Sequence, residues 1–184
     1  MAHDALTSAR NTLTAEAAGL TQLADALGDN FAQAVDILAA AQGRVIVSGM
    51  GKSGHIGNKI AATMASTGTP ASFVHPAEAS HGDLGMITQD DVVLALSWSG
   101  GTQELASLLN YTTRFKIPLI AITSGADSLL GKAATICLTL PKAEEACPNG
   151  LAPTTSTTMQ LALGDALAVA LLERRNFSTA DFKN

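Results

Sequence analysis

Residues 44–54 read Arg44-Val-Ile-Val-Ser-Gly-Met-Gly-Lys-Ser-Gly54. The β-branched run Val45-Ile46-Val47 predicts a short strand, and Ser48-Gly49 ends it. A helix is predicted from about Ile56 to Ser66. The pattern then repeats. A second strand fits Ala71 to Val74. A third, Val92 to Leu96, ends in Ser97-Trp98-Ser99-Gly100 and leads to a helix from about Gln103 to Phe115. A fourth, Leu119 to Ile122, ends in Thr123-Ser124-Gly125, and a short helix near Ser128 to Ala133 precedes a fifth, Thr135 to Leu138. Short apolar strands alternating with helices predict an α/β fold, a parallel sheet with helices on both faces.

Upstream, residues 4–27 are alanine-rich and place Leu6, Leu13, Leu20, Leu23 and Leu27 at near-helical spacing. Gly28 is read as ending that helix and Asp29 as capping a second, which runs to about Ala41. Residues 1–43 are thus N-terminal helices and 44–184 an α/β core, within one domain spanning 1–184. The loop 141–153 leads to a last helix, about Thr155 to Arg175. It is apolar almost all round, which predicts burial in the domain or at a subunit interface.

The chain has 184 residues, 33 of them alanine; 47% are apolar and only 15% charged. So few charges leave little to cover a lone monomer, and an oligomer is expected. The net charge of −5 argues against nucleic acid as a partner. The N-terminus does not read as a signal peptide, and no run of 18 apolar residues predicts a membrane span. Cys137 and Cys147 lack metal-site spacing and read as reduced thiols of a cytoplasmic protein.

Ligands of open α/β sheets sit at the carboxyl ends of the strands. Three predicted strand ends here are rich in Ser, Thr and Gly, and Thr154-Thr155-Ser156-Thr157-Thr158 opens the last helix. Hydroxyls and free amides at helix N-termini suit a phosphate or carboxylate. Each cluster alone is equally an N-cap or a turn. Gly49 to Gly54 also matches G-x-G-x-x-G, the dinucleotide fingerprint. The acidic residue that fingerprint needs is missing, because the second strand ends in Val74-His75-Pro76 and Glu78 lies beyond the proline. Ile46 stands where a Walker A loop needs its first glycine.

Four segments carry a resemblance. They are Ser48-Gly-Met-Gly-Lys-Ser-Gly-His55, His75-Pro-Ala-Glu-Ala-Ser-His-Gly-Asp-Leu-Gly85, Ser97-Trp-Ser-Gly100 and Ala146-Cys-Pro-Asn-Gly-Leu-Ala-Pro-Thr-Thr-Ser-Thr-Thr158. They closely resemble the sugar isomerase (SIS) domain of D-arabinose 5-phosphate isomerases, and the likeness covers nearly the whole chain. It implies a three-layer α-β-α sandwich around a five-stranded parallel sheet, flavodoxin- or Rossmann-like. A homo-tetramer with active sites near subunit contacts is also implied, with a dimer left open by the sequence. The implied activity is interconversion of D-ribulose 5-phosphate and D-arabinose 5-phosphate, early in Kdo and lipopolysaccharide synthesis.

Aldose–ketose isomerisation through an enediol needs a ring opener, a base and a group that stabilises the oxyanion. By the resemblance, Lys52, Glu104 and Glu145 are the catalytic candidates. Glu104, one turn into its helix, is read as facing the strand ends; without the likeness it is a first-turn acid favouring the helix dipole. Glu145 is otherwise a loop charge and Lys52 an exposed turn lysine. Ser53, Ser97, Ser99 and Thr102 resemble the family's phosphate-binding hydroxyls. Ser48, Gly49, Thr154 and Ser156 complete the expected substrate-binding set, and the likeness adds His81 near the sugar. No cofactor is expected. His75 and His81 flank an acid, but no third metal ligand stands at a known spacing, so no metal is expected beyond adventitious zinc at His81. His75 reads as a hydrogen-bonded loop residue, His55 as opening its helix, and His3 as part of a frayed terminus.

Two departures stand out. The family loop usually reads Ser-Asn-Ser-Gly-Glu, whereas Trp98 and Gly101 replace its Asn and Glu here. The resemblance also implies a His-Pro-Gly-Gly segment and a tandem CBS pair, neither of which is present before the chain stops at Phe182-Lys183-Asn184. The chain therefore reads as a truncated part of a longer enzyme, with activity impaired. The rival expectation is a phosphosugar-binding regulatory SIS module without catalysis.

Overall fold

The computed structural model describes residues 4–175, so His3 and Phe182-Lys183-Asn184 lie outside the described residues. Five strands, β1 (Val45–Gly49), β2 (Ala71–Phe73), β3 (Val92–Leu96), β4 (Leu119–Thr123) and β5 (Ile136–Thr139), form one sheet in the order β2-β1-β3-β4-β5. Every neighbouring pair is parallel.

Successive side chains of a strand point to opposite faces, and both faces here are covered. Val45, Val47, Val92, Leu94, Leu96, Ile120 and Ile122 pack on one side. That side is covered by α1 (Ala5–Asp25), α2 (Asp29–Ala40), α3 (Lys52–Ser66) and α7 (Thr155–Arg174). Ile46, Val93, Ala95, Leu119 and Ala121 pack on the other. Their cover is α4 (Pro76–Ser80), α5 (Ala106–Phe115) and α6 (Leu129–Ala133). This is the expected three-layer sandwich. Because the central strands β1, β3 and β4 are buried on both faces, strands such as Val92-Val-Leu-Ala-Leu96 are continuously apolar rather than alternating, while the edge strands β2 and β5 are only partly buried.

Several boundaries differ from the sequence reading. Lys52, not Ile56, opens α3, because Gly51 turns the chain at φ +58° directly before it. His55 is therefore the fourth residue of that helix rather than its first. Gly28 does not end α1; it is the residue before α2, and Asp29 lies inside α2 as a first-turn acid. Asp4 caps α1, accepting from the Leu6 N–H at 3.1 Å. The segment 76–86 holds α4 and a 3-10 turn, Asp83–Met86. Pro76 at the first helical position and His75 as its cap nucleate α4. The helix expected from Gln103 begins as a 3-10 turn, Gln103–Leu105, before α5.

The last helix, α7, is long and apolar enough to cross a membrane by length and composition, yet half of that stretch is buried inside the fold. Its seam of Met159, Leu163, Gly164, Leu167, Ala168 and Leu171 is buried. A salt bridge from Lys59 on α3 to Asp165 at 2.5 Å ties the two helices at their solvent edge.

Candidate active site

The strand order changes direction between β1 and β3, which pair along their whole length up to Gly49 opposite Leu96. At such a switch point the loops leaving two neighbouring strands diverge to opposite faces and open a crevice. A cavity of about 290 Å³ lies there. Met50, Lys52 and Ser53 line it from the β1–α3 turn, and Leu96, Ser97, Trp98, Ser99 and Thr102 from the end of β3 and the loop after it. Pro153, Ser156, Thr157 and Gln160 close it from the start of α7.

The β1–α3 turn depends on glycine. A Cβ on Gly54 would lie 2.5 Å from the Gly49 carbonyl oxygen, so only glycine lets α3 start this close to the strand end. The first turn of α3 therefore enters the cavity wall. No side chain caps this helix, so its N-terminal field is available to an anion. The Lys52 side chain is exposed and, among the described residues, makes no ion pair.

The loop after β3 is held by its own hydroxyls. Ser97 Oγ and Thr102 Oγ1 are 2.7 Å apart. The Gly100 N–H donates to Ser97 Oγ at 3.0 Å and the Gly101 N–H to Ser99 Oγ at 3.2 Å. The Trp98 carbonyl accepts the Ser124 N–H and hydroxyl, each at 2.9 Å, and the Thr123 hydroxyl at 3.1 Å. The Thr123-Ser124-Gly125 cluster is thus a brace for the loop rather than part of the cavity wall. The Trp98 ring is half-buried and packs against the core on the α7 side of the sheet.

Glu145 occupies the N-terminus of α7. Its Oε2 accepts the Thr154 N–H at 2.7 Å, the Thr154 hydroxyl at 3.1 Å and the Ser156 N–H at 3.2 Å. Burial pushes this carboxyl up, but the hydrogen bonds from Ser156 and Thr154 outweigh it and hold it below its ordinary value. The loop 141–153 is thereby closed onto the helix, and the Ala146 N–H donates back to Thr154 Oγ1 at 2.9 Å.

Of the expected residues, Lys52, Ser53, Ser97, Ser99, Thr102 and Ser156 are brought together around the cavity. Ser48 and Gly49 are buried just beneath it in β1, and Thr154 is engaged with Glu145. Glu104 does not line the cavity. In the tight 3-10 turn Leu105 takes the inward direction, fully buried, and Glu104 is left exposed outside the cavity lining. His81 is also exposed and outside it, at the C-terminal end of α4. His75 Nδ1 accepts the Ala77 N–H at 3.3 Å, which explains it as a cap. Among the described residues no three His, Cys, Asp or Glu side chains cluster as a metal site. Cys137 and Cys147 are both free thiols. Sequence reading missed Gln160 and Pro153 as wall residues, whereas Thr157 belongs to the hydroxyl cluster it singled out.

The SIS domain family model matches residues 37–170. The arabinose 5-phosphate isomerase KdsD of Pseudomonas aeruginosa is 56% identical over 179 residues, which is 97% of this chain and 55% of that protein. The KdsD of Yersinia pestis is 56% identical over 173 residues, 94% of this chain and 53% of that protein. The chain spans about half the length of the curated relatives it matches. A solved structure of an Escherichia coli CFT073 protein in complex with A5P superposes with a TM-score of 0.95 at 39% identity, covering 100% of this chain and 97% of that one. The chain belongs to the SIS domain family.

Proposed function

We propose that this SIS domain binds a pentose 5-phosphate in the cavity between β1 and β3 and interconverts D-arabinose 5-phosphate and D-ribulose 5-phosphate. One observation carries the reading: Lys52, Ser53, Ser97, Ser99 and Thr102 converge on one cavity at the sheet's switch point. Two relatives at 56% identity that bear the name arabinose 5-phosphate isomerase support the choice of substrate.

Phosphate is assigned to the α3 side. Glu145 already fills the anion position at the start of α7, leaving the uncapped start of α3 and the hydroxyls of the 97–102 loop for a second anion. The sugar chain then runs toward α7. Lys52, at the start of α3, is assigned to the phosphate in this placement; with the substrate held the other way round it would instead stabilise negative charge on the enediolate oxygen at carbons 1 and 2. Glu104, exposed and outside the cavity lining, is our candidate base on the family resemblance, a role that requires its side chain to turn toward the bound sugar. Glu145 is assigned to holding the loop 141–153 on α7, because a carboxylate held below its ordinary pKa is a weak base at neutral pH. A cytoplasmic homo-tetramer belongs to the same proposal and is supported by the low charge and by exposed Leu6 and Leu13 on α1.

A second reading has its own observation. The cavity wall offers one cation and hydroxyls but no carboxylate, which suits binding without proton transfer. Incubating the chain with D-arabinose 5-phosphate and following ketopentose phosphate formation, beside a binding titration, separates the two. Turnover supports the isomerase. Tight binding without turnover, in this chain and in one extended to the relatives' length, supports the regulatory module.

A further inference from the structure

Gln160 is 1% exposed, and neither its amide oxygen nor its amide nitrogen finds a hydrogen-bond partner in the protein. Ser48, Thr69 and Thr155 also bury an unpartnered hydroxyl, but of these four residues only Gln160 lines the cavity. It stands one helical turn beyond Ser156 on α7, so Ser156, Thr157 and Gln160 present one face to the cavity. One turn further the same face becomes the apolar seam of Leu163, Gly164 and Leu167. A methionine or leucine at 160 would simply extend that seam.

Buried polar groups are hydrogen-bonded in the great majority of proteins, so an amide with both ends unmatched points to a partner outside the protein. The amide oxygen accepts and the nitrogen donates, which matches a hydroxyl better than a phosphate, since a phosphate dianion only accepts. The opposite wall, with Lys52, Ser97, Ser99 and Thr102, is the one suited to the anion.

We propose that Gln160 is a specificity residue whose amide hydrogen-bonds a hydroxyl of the sugar chain while the phosphate sits on the α3 side. This rests on the sugar phosphate reading above. Gln160 therefore makes the cavity prefer a polyhydroxy chain over phosphate alone.

The test is calorimetric titration of D-arabinose 5-phosphate and, separately, inorganic phosphate into the wild-type chain and into Gln160→Met, a near-isostere without the amide. The sugar phosphate is expected to bind at least tenfold more weakly to the variant, with phosphate affinity changed less than twofold. The unliganded variant is expected to melt no lower than wild type, because it removes an unmatched buried amide. Gln160→Leu is expected to behave the same way and serves if Gln160→Met fails to fold. Equal loss for both ligands, unchanged sugar phosphate affinity, or unfolding of both variants would each overturn the assignment. If wild type binds phosphate but not the sugar phosphate, the sugar phosphate reading itself falls and Gln160 with it. Unchanged affinity in the variants overturns Gln160 alone.

Discussion

The Glu145 carboxylate and Thr154 are joined twice: Oε2 accepts the Thr154 N–H at 2.7 Å and the Thr154 hydroxyl at 3.1 Å. The pair closes the loop 141–153 onto the helix that forms one wall of the cavity. A loop glutamate thus acts as the helix cap, although the residue before the helix offers no side-chain cap of its own.

Replacing Glu145 by Gln removes the charge facing the helix N-terminus and is expected to cost about 1 kcal/mol at neutral pH, the usual worth of a cap. For a domain of this size that lowers Tm by about 3 °C. The carboxyl is held below its ordinary value of 4.5 in the folded state. Its contribution is therefore complete above that value and disappears as pH falls through the folded pKa. Urea unfolding at pH 7 and near pH 3 checks this. The gap between wild type and E145Q should be present at pH 7 and shrink in acid. A gap independent of pH would show that the charge is not what caps α7.

Lys52 gives a prediction on binding rather than stability. Its side chain is exposed and unpaired among the described residues, so Lys52→Met should leave the unfolding free energy within about 0.5 kcal/mol of wild type. A charge-assisted bond to a ligand is worth about 1.5–3 kcal/mol. Affinity for D-arabinose 5-phosphate should fall roughly 10- to 100-fold. Inorganic phosphate separates the two roles of the ammonium. Loss for both ligands places Lys52 on the phosphate, whereas loss of turnover alone places it on the enediolate.

The α3–α7 seam behind the cavity is packed without slack. A Cβ on Gly164 would lie 2.3 Å from Ile60 Cδ1, and Ile60 is fully buried. Gly164→Ala gains helix propensity of about 1 kcal/mol. Overpacking of a closed core costs about 1–3 kcal/mol, so the net effect is expected to be destabilising. A double-mutant cycle with Ile60→Ala decides the cause. The alanine at 164 should cost less, or stabilise, once the isoleucine is gone. Additive effects would rule out the steric contact.

Much of this arrangement was legible in the chain. Val45-Ile-Val47 with Ser48-Gly49 behind it states strand and turn together. The rule that ligands gather at strand ends selects Ser53, Ser97, Ser99 and Thr102 before any coordinates. What stayed hidden depends on angle or on distance along the chain. Glu104 lies close to Thr102 in sequence, but its segment opens as a 3-10 turn and it stands exposed outside the cavity lining. The capping of α7 by Glu145 spans nine residues of loop without a periodic signal. Pro76 to Ser80 is too short to show a helical repeat. Gln160 was masked by its surroundings, a polar residue within a helix otherwise read as apolar all round. Its signal was available: position 160 is in register with the buried residues Gly164, Leu167 and Leu171.

Trp98 supplies the last prediction. Its carbonyl is the loop's anchor, accepting from Thr123 and Ser124, and this bond is independent of the side chain. Its half-buried ring instead fills space between the cavity and the core on the α7 side. Trp98→Asn should therefore keep the loop's path while opening the cavity. Full loss of a buried aromatic costs about 3–5 kcal/mol, and a half-buried one about half of that. Affinity for inorganic phosphate should be nearly unchanged, because the hydroxyls of Ser97, Ser99 and Thr102 stay in place. Longer sugar chains should gain most from the added room. The ratio of affinities for D-glucose 6-phosphate and D-arabinose 5-phosphate, measured by competition, is expected to rise in W98N. A ratio that stays fixed while stability falls would show that the ring supports the core and does not bound the sugar.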